Sequence, residues 1–205
     1  MKSLFEFNVY KESSTVEVKK EFDVSLELLW NAWTTSELLD KWWAPRPYVT
    51  KTKSMEFKKG GTWLYAMVSP ANEIHWCKND YQEIEPLRKF VGLDAFCDEN
   101  GKTDTSMPRT LWTCIFSKIN DKVLLTITSK YETTNDLEKI IELGFKEGFT
   151  MALGNLDELK QRREENIRLH KEKKKAYYLK KKLATISGIN EQKKTKLPPI
   201  QLQIL

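Results

Sequence analysis

The sequence predicts an α+β domain, in which a curved, mostly antiparallel sheet of six or seven strands wraps around one long C-terminal helix. Three observations predict this arrangement. Strand-like runs follow one another through the middle of the chain, and the links between most of them are too short for crossover helices. Two short helical patterns come directly after the first strand. Residues 134–159 then form one long amphipathic pattern, which is the only predicted helix long enough to lie across the apolar face of the sheet.

The N-terminal part is predicted to be extended because its side chains alternate in character. Residues 15–22 place Val16, Val18 and Phe22 on one side and charged side chains on the other, which is typical of a half-buried strand. Residues 4–10 alternate as well. They form either an extra edge strand or an early part of the first strand.

Two short helices follow, and the sequence marks where each begins and ends. Ser25 is an N-cap residue, and the first helix carries apolar side chains at the three-and-four spacing of one helix face, at Leu26, Leu29, Trp30 and Trp33. The second helix is capped by Thr35 or Ser36 and stops at Pro45.

Six further runs have the composition of strands and are bounded by turn residues. Gly60, Pro86 and Asn120 belong to the turns between them. The connection formed by residues 97–109 is longer and polar, and we expect it to be a loop at the mouth of the fold. The predicted strands are Tyr48–Phe57, Thr62–Val68, Ile74–Glu85, Lys89–Phe96, Thr110–Asn120 and Lys122–Tyr131.

The C-terminal helical pattern carries two glycines on its apolar face. Gly144 and Gly148 each precede a phenylalanine on the side of the helix that we expect to be buried. A glycine inside a helix costs roughly 0.5–1 kcal/mol relative to alanine. We therefore expect either a close approach of the helix backbone to another layer or space kept for a ligand. The apolar positions are Leu137, Ile140, Ile141, Phe145, Phe149, Ala152, Leu153, Leu156 and Leu159.

Charge divides the chain into two parts. Residues 1–159 hold 20 Lys/Arg against 25 Asp/Glu, whereas residues 160–205 hold 14 against 4. All seven Trp and all nine Phe lie in the first part. We therefore predict a folded domain over residues 1–162 and a basic C-terminal extension over residues 163–205, as a helix continuation, a flexible tail or both. Alternation at residues 200–204 fits an edge strand or a docking peptide.

Several classes of protein do not fit the sequence. The three cysteines lack CxxC spacing, which argues against a disulfide framework and for a reducing compartment. The N-terminus lacks the apolar run of a signal peptide, and no stretch reaches the roughly 18 apolar residues of a membrane span. We therefore expect a cytoplasmic protein. His75 is the only histidine of the first part, so we expect no catalytic residue, no metal ion and no cofactor.

Five short motifs occur in order along residues 15–162. They are Leu29-Trp30, Trp43-Ala44-Pro45, Lys58-Lys59-Gly60-Gly61, Asp80-Tyr81-x-Glu83-Ile84 with Pro86, and Gly144-Phe-x-x-Gly148-Phe149. In this order they resemble the START-like (SRPBCC, helix-grip) superfamily. Within it, they are similar to the group of the C-terminal domain of the activator of the ninety-kilodalton heat-shock protein ATPase. The resemblance implies a deep cavity between sheet and long helix, which relatives use for lipids, sterols, polyketides or hormones, and a few for cyclase-type chemistry.

The first hypothesis is a non-catalytic protein that binds a small hydrophobic or amphipathic ligand in this cavity. The alternative is a chaperone-associated interaction module, whose outer sheet face and basic extension contact an acidic partner. The third hypothesis is an enzyme of the aromatase or cyclase kind. Nucleic acid is not an expected partner. Tyr65, Tyr81, Arg109 and Lys78 are the polar groups expected to orient a ligand. The predicted ligand-binding residues are Trp43, Trp63, Tyr65, Met67, Trp76, Tyr81, Phe90, Trp112, Phe116, Phe145, Gly148, Phe149 and Ala152.

Overall fold

Strands and helices follow one another in the predicted order. The computed structural model describes residues 4–186. Its elements are β1 (Phe5–Tyr10), β2 (Thr15–Phe22), α1 (Leu26–Thr34), α2 (Ser36–Trp42), β3 (Val49–Met55), β4 (Thr62–Val68), β5 (Ile74–Glu85), β6 (Lys89–Phe96), β7 (Thr110–Ile119), β8 (Lys122–Lys130), α3 (Thr134–Glu142) and α4 (Phe145–Ile186).

The strands form one antiparallel sheet of eight in the order β1-β2-β8-β7-β6-β5-β4-β3. β3 to β8 are a meander, and β2 extends it by pairing with β8. The predicted α+β fold, with an antiparallel sheet and a long C-terminal helix, is confirmed. The sheet has eight strands because residues 5–10 form a strand of their own, in which Phe7 lies opposite Val18.

Two irregularities of register interrupt the strand pairing. One lies between Thr52 and Ser54 in β3, and the other lies between Tyr81 and Glu83 in β5. An extra residue in one strand bends that strand and increases its twist. These positions therefore contribute to the curvature that gives the sheet a concave face.

The two short helices between β2 and β3 are held by a cap and by buried tryptophans. The Ser25 hydroxyl accepts a hydrogen bond from the backbone N–H of Leu28, as expected of an N-cap. Trp33 and Trp42 lie with their ring centroids 4.9 Å apart. The indole N–H of Trp42 donates to the backbone carbonyl of Ala32 at 2.9 Å, so α2 is fixed against α1 by a buried hydrogen bond.

The C-terminal pattern is two helices, where the sequence predicted one. Gly144 has a φ of +85°, and its N–H donates to the carbonyl of Ile141, so it ends α3 rather than lying inside a helix. Thr133 and Asp136 form a reciprocal capping box at the start of α3. The three-and-four spacing continues across the break, which is why periodicity alone did not indicate it.

The chain divides into two compact units. The first is Met1–Leu156 and the second begins at Asp157. In the second unit, residues 157–186 are helical and carry eleven Lys/Arg against five Asp/Glu. Within residues 4–186, no helix has both the length and the apolar character that a membrane crossing requires. The alternation predicted at residues 200–204 lies outside the described residues.

Candidate functional site

A cavity of about 240 Å³ lies between the sheet and the C-terminal helices of the first unit. The strands and the residue after β8 contribute one wall, formed by Tyr65, Met67, Cys77, Asp94, Phe96, Thr110, Trp112 and Tyr131. The helices and connecting segments contribute the other, formed by Trp43, Pro45, Pro108, Ile140, Leu143, Gly144, Phe145, Gly148, Phe149 and Ala152.

Strand register explains why the residues of the sheet wall lie on one face. Cys77 of β5 pairs with Tyr65 of β4 on one side and with Phe96 of β6 on the other. Asp94, two positions before Phe96, pairs with Thr110 of β7. Because directly paired residues and residues two apart share a face, all five side chains belong to the concave side of the sheet.

The helix wall contributes three aromatic rings, those of Trp43, Phe145 and Phe149. Phe145 and Phe149 are one helical turn apart in α4, and their rings are stacked with centroids 5.5 Å apart. Trp112 of the sheet meets Phe149 edge to face at 5.2 Å, and Trp43 meets the same ring at 6.3 Å. The two walls therefore touch at one side of the cavity through an aromatic cluster.

Asp94 is the acidic group of the cavity wall. Its carboxyl group is hydrogen-bonded to Asn79, but no donor among residues 4–186 reaches its Oδ1 atom. The pKa of Asp94 is raised to about 7, chiefly by burial and also by the nearby charge of Asp80. The Asn79 hydrogen bond and the charge of Arg109 act in the opposite direction. Asp94 therefore changes its charge near neutral pH.

The other ionisable groups in the wall are neutral at that pH. Burial raises the pKa of Tyr65 and of Cys77 well above their ordinary values. Burial also raises the pKa of Tyr131 to about 12, although the hydrogen bond to Thr110 opposes this rise. These groups can donate or accept hydrogen bonds, but a neutral phenol or thiol is neither a strong base nor an activated nucleophile.

Eight of the thirteen predicted ligand-binding residues line the cavity, and five do not. Tyr81, Phe90 and Phe116 lie on the concave face, but at the end of the sheet that α1 covers. There the ring centroid of Trp30 lies 6.2 Å from that of Phe90 and 5.1 Å from that of Phe116. The eight lining residues are Trp43, Tyr65, Met67, Trp112, Phe145, Gly148, Phe149 and Ala152.

The remaining two predicted residues do not line the cavity either. Trp63 is buried, stacks on Tyr65 at 3.9 Å, and donates its indole N–H to the Thr52 hydroxyl at 2.9 Å. Trp76 has the opposite parity to Cys77, and the Nζ of Lys53 lies 5.5 Å from its ring centroid.

Of the four polar residues predicted to orient a ligand, one lines the cavity and three do not. Tyr65 lines the cavity, whereas Tyr81 belongs to the aromatic core. Lys78 and Arg109 form ion pairs with Asp80, at 3.0 and 3.1 Å, and neither lines the cavity. His75 is exposed, and its ring lies 5.8 Å from that of Tyr48.

Sequence reasoning missed Asp94, and a signal for it was present. Phe90, Gly92, Asp94 and Phe96 occupy alternate positions of β6, so an acidic residue interrupts an inward-facing apolar row. Also missed were Pro45, Cys77, Phe96, Pro108, Thr110, Tyr131, Ile140 and Leu143, whereas Gly144 lines the cavity as one of the two glycines expected to leave space for a ligand.

A sequence model of one protein family matches residues 23–161. The family is described as Activator of Hsp90 ATPase homolog 1-like protein. A search of curated proteins found no significant match.

Solved structures with the same fold come from several bacteria. A protein from Mycobacterium smegmatis is 20% identical with a TM-score of 0.70, over 77% of this chain and 96% of its own. A protein from Arthrobacter aurescens is 24% identical with a TM-score of 0.69, over 73% of this chain and 87% of its own. A protein from Staphylococcus epidermidis is 24% identical with a TM-score of 0.67, over 76% and 94%.

Proposed function

This chain belongs to the family of Activator of Hsp90 ATPase homolog 1-like proteins, and from that premise we propose that it binds a small hydrophobic or amphipathic molecule without transforming it. The family match confirms the predicted resemblance to the START-like superfamily. Identities of 20–24% to the solved structures establish a common fold, and a fold does not specify a ligand. The proposal therefore depends on the cavity of this chain.

The observation that carries the proposal is an aromatic cavity of about 240 Å³ with few polar groups in its wall. Small-molecule sites are typically apolar cavities with a small number of placed polar groups. An apolar cavity of about 150 Å³ is enough to bind benzene, so the volume here suits a molecule of one or two rings. Each buried methylene group of such a ligand contributes about 0.8 kcal/mol.

Gly148 provides a direct test because it lines the cavity. A Cβ atom at this position would lie 3.6 Å from the Cγ of Pro45, which is ordinary contact, so the first carbon of a side chain fits there. We expect Gly148→Leu to fill part of the cavity. The affinity for one- and two-ring aromatic compounds, measured by isothermal titration calorimetry, should fall at least tenfold.

Gly154→Leu is the matched control. Gly154 lies in the same helix, a Cβ there would meet nothing within 4 Å, and the residue does not line the cavity. Both substitutions replace a helical glycine and should raise helix stability by a similar amount. Equal affinities in the two variants would contradict the proposal, because filling the cavity would then have no effect on binding.

The family description favours a second candidate, a chaperone-associated interaction module. The observation that supports it is the basic helical segment of the second unit, where Lys173, Lys174 and Lys175 are exposed. In this candidate, residues 163–205 form a separate basic extension that contacts an acidic partner. A variant with these three lysines replaced by glutamate should lose stimulation of a purified Hsp90 ATPase. The Gly148→Leu variant should still stimulate the ATPase. If the wild-type chain itself leaves the ATPase rate unchanged, this candidate function is wrong.

A further inference from the structure

Among the described residues, the wall of the cavity contains an acidic side chain and no basic one. Of the eighteen described residues in its wall, none is Lys, Arg or His, and Asp94 is the only Asp or Glu. An anionic ligand such as a fatty acid or a phosphate ester would therefore meet no counter-charge in the wall. It would also be repelled by Asp94 whenever this carboxyl group is ionised. The wall selects against anions.

The same wall contains two features that favour a cation. Seven of its side chains are aromatic, and the faces of aromatic rings attract ammonium groups. Asp94 contributes a carboxylate whose Oδ1 has no hydrogen-bond donor among residues 4–186. A buried acceptor without a donor is unfavourable, and an ammonium group supplies both donors and the opposite charge.

Resting on the proposed function, we propose that the ligand is an organic ammonium ion, an amine of one or two rings whose N–H groups face Asp94 and whose rings lie among the aromatic side chains. The cavity volume of about 240 Å³ sets the size of this amine. Thr110 pairs with Asp94 across the strands, and Tyr131 is hydrogen-bonded to Thr110, so both residues belong to the same part of the wall as Asp94.

Binding of an ammonium ion requires the ionised form of Asp94, so affinity depends on pH. The charged and titratable groups around Asp94 are Asp80, Arg109, Tyr65, Tyr81, Cys77, Cys97 and Tyr131. Asp80 and Arg109 are ion-paired with each other. The pKa of each of the other five is raised by burial, away from neutrality. The helices contribute no Asp, Glu, Lys, Arg or His to the described wall.

Three probes with one ring system and three charges test the proposal: 2-naphthylmethylamine, 2-naphthylmethanol and 2-naphthoate. Their affinities are measured by isothermal titration calorimetry at pH 8 for the wild-type protein and for Asp94→Asn. The amine should bind at least tenfold more tightly than the alcohol, and the naphthoate most weakly. Asp94→Asn should reduce the affinity for the amine at least tenfold and leave that for the alcohol within twofold.

A pH series on the wild-type protein provides a second measurement that needs no substitution. Between pH 5.5 and 8, the affinity for the amine should rise at least fivefold, and that for the alcohol should stay constant. If the alcohol binds as tightly as the amine, or if Asp94→Asn leaves the affinity for the amine unchanged, the inference is wrong and the proposed function stands. If none of the three probes binds, both are wrong.

Discussion

The side-chain amide of Asn155 donates a hydrogen bond to the backbone carbonyl oxygen of Ala44 at 3.0 Å, deep in the protein. The same amide donates to the carbonyl of Trp42 at 3.3 Å. One side chain of α4 thus satisfies two carbonyl groups where α2 ends, next to Trp43 and Pro45 of the cavity wall. The position of this wall relative to α4 depends on it.

We expect Asn155→Leu to lower the free energy of unfolding by about 1–3 kcal/mol, because two buried carbonyl groups lose their donors. Urea denaturation measures this change. The control is Asn166→Leu, at an exposed position of the same helix, which should stay within about 0.5 kcal/mol of the wild type. Equal stabilities of the two variants would show that the two hydrogen bonds contribute nothing.

Gly144 and Gly154 should respond in opposite ways to alanine. Gly144 has a φ of +85°, and a Cβ atom added there would meet nothing within 4 Å, so the cost of alanine comes from the backbone alone. It should lower the free energy of unfolding by roughly 1–2 kcal/mol. Gly154→Ala should raise it by roughly 0.5–1 kcal/mol, because this glycine lies within a helix. A stabilising Gly144→Ala in urea denaturation would contradict the break between α3 and α4.

Asp94 should make stability depend on pH. Its pKa is about 7 in the folded protein and near 3.8 in the unfolded chain, so between these values the folded state binds more protons. The free energy of unfolding therefore falls as the pH rises from about 4 to 7, by up to about 4 kcal/mol from this one group. In Asp94→Asn this contribution is absent.

The measurement is urea denaturation of both proteins at intervals from pH 4.5 to 8. All other ionisable groups are common to the two, so the difference between the curves isolates Asp94. Relative to the wild type, Asp94→Asn should gain stability as the pH rises. Parallel curves would show that the carboxyl group is not held in a desolvated position.

Much of the fold could be predicted because its determinants are local. Alternating side chains and turn residues placed β4, β5 and β6 correctly at both ends, and Ser25 marked the start of α1. The break at Gly144 could not be predicted by the same means, because the apolar spacing of α3 continues into α4. Distinguishing a helical glycine from one with positive φ requires the tertiary contacts of the two helices.

The cavity could be predicted only in part, for a related reason. Alternation in the sequence predicts that Tyr65 shares a face of its strand with Met67, and that Trp112 shares a face of its strand with Phe116. The position of the cavity along the concave face depends on α1. Trp30 of this helix fills the end near Phe90, and the end near Tyr65 stays open. Which side chains fill a volume is a property of the packed layers and not of any single strand.

Two of the seven tryptophans, Trp43 and Trp112, lie in the wall of the cavity with ring centroids 5.7 Å apart. A bound ligand would displace solvent from these indoles. The tryptophan fluorescence of the unlabelled protein should therefore change in wavelength and intensity when the cavity is filled. The chain thereby carries an intrinsic optical reporter, with which compound collections can be screened without attaching any dye.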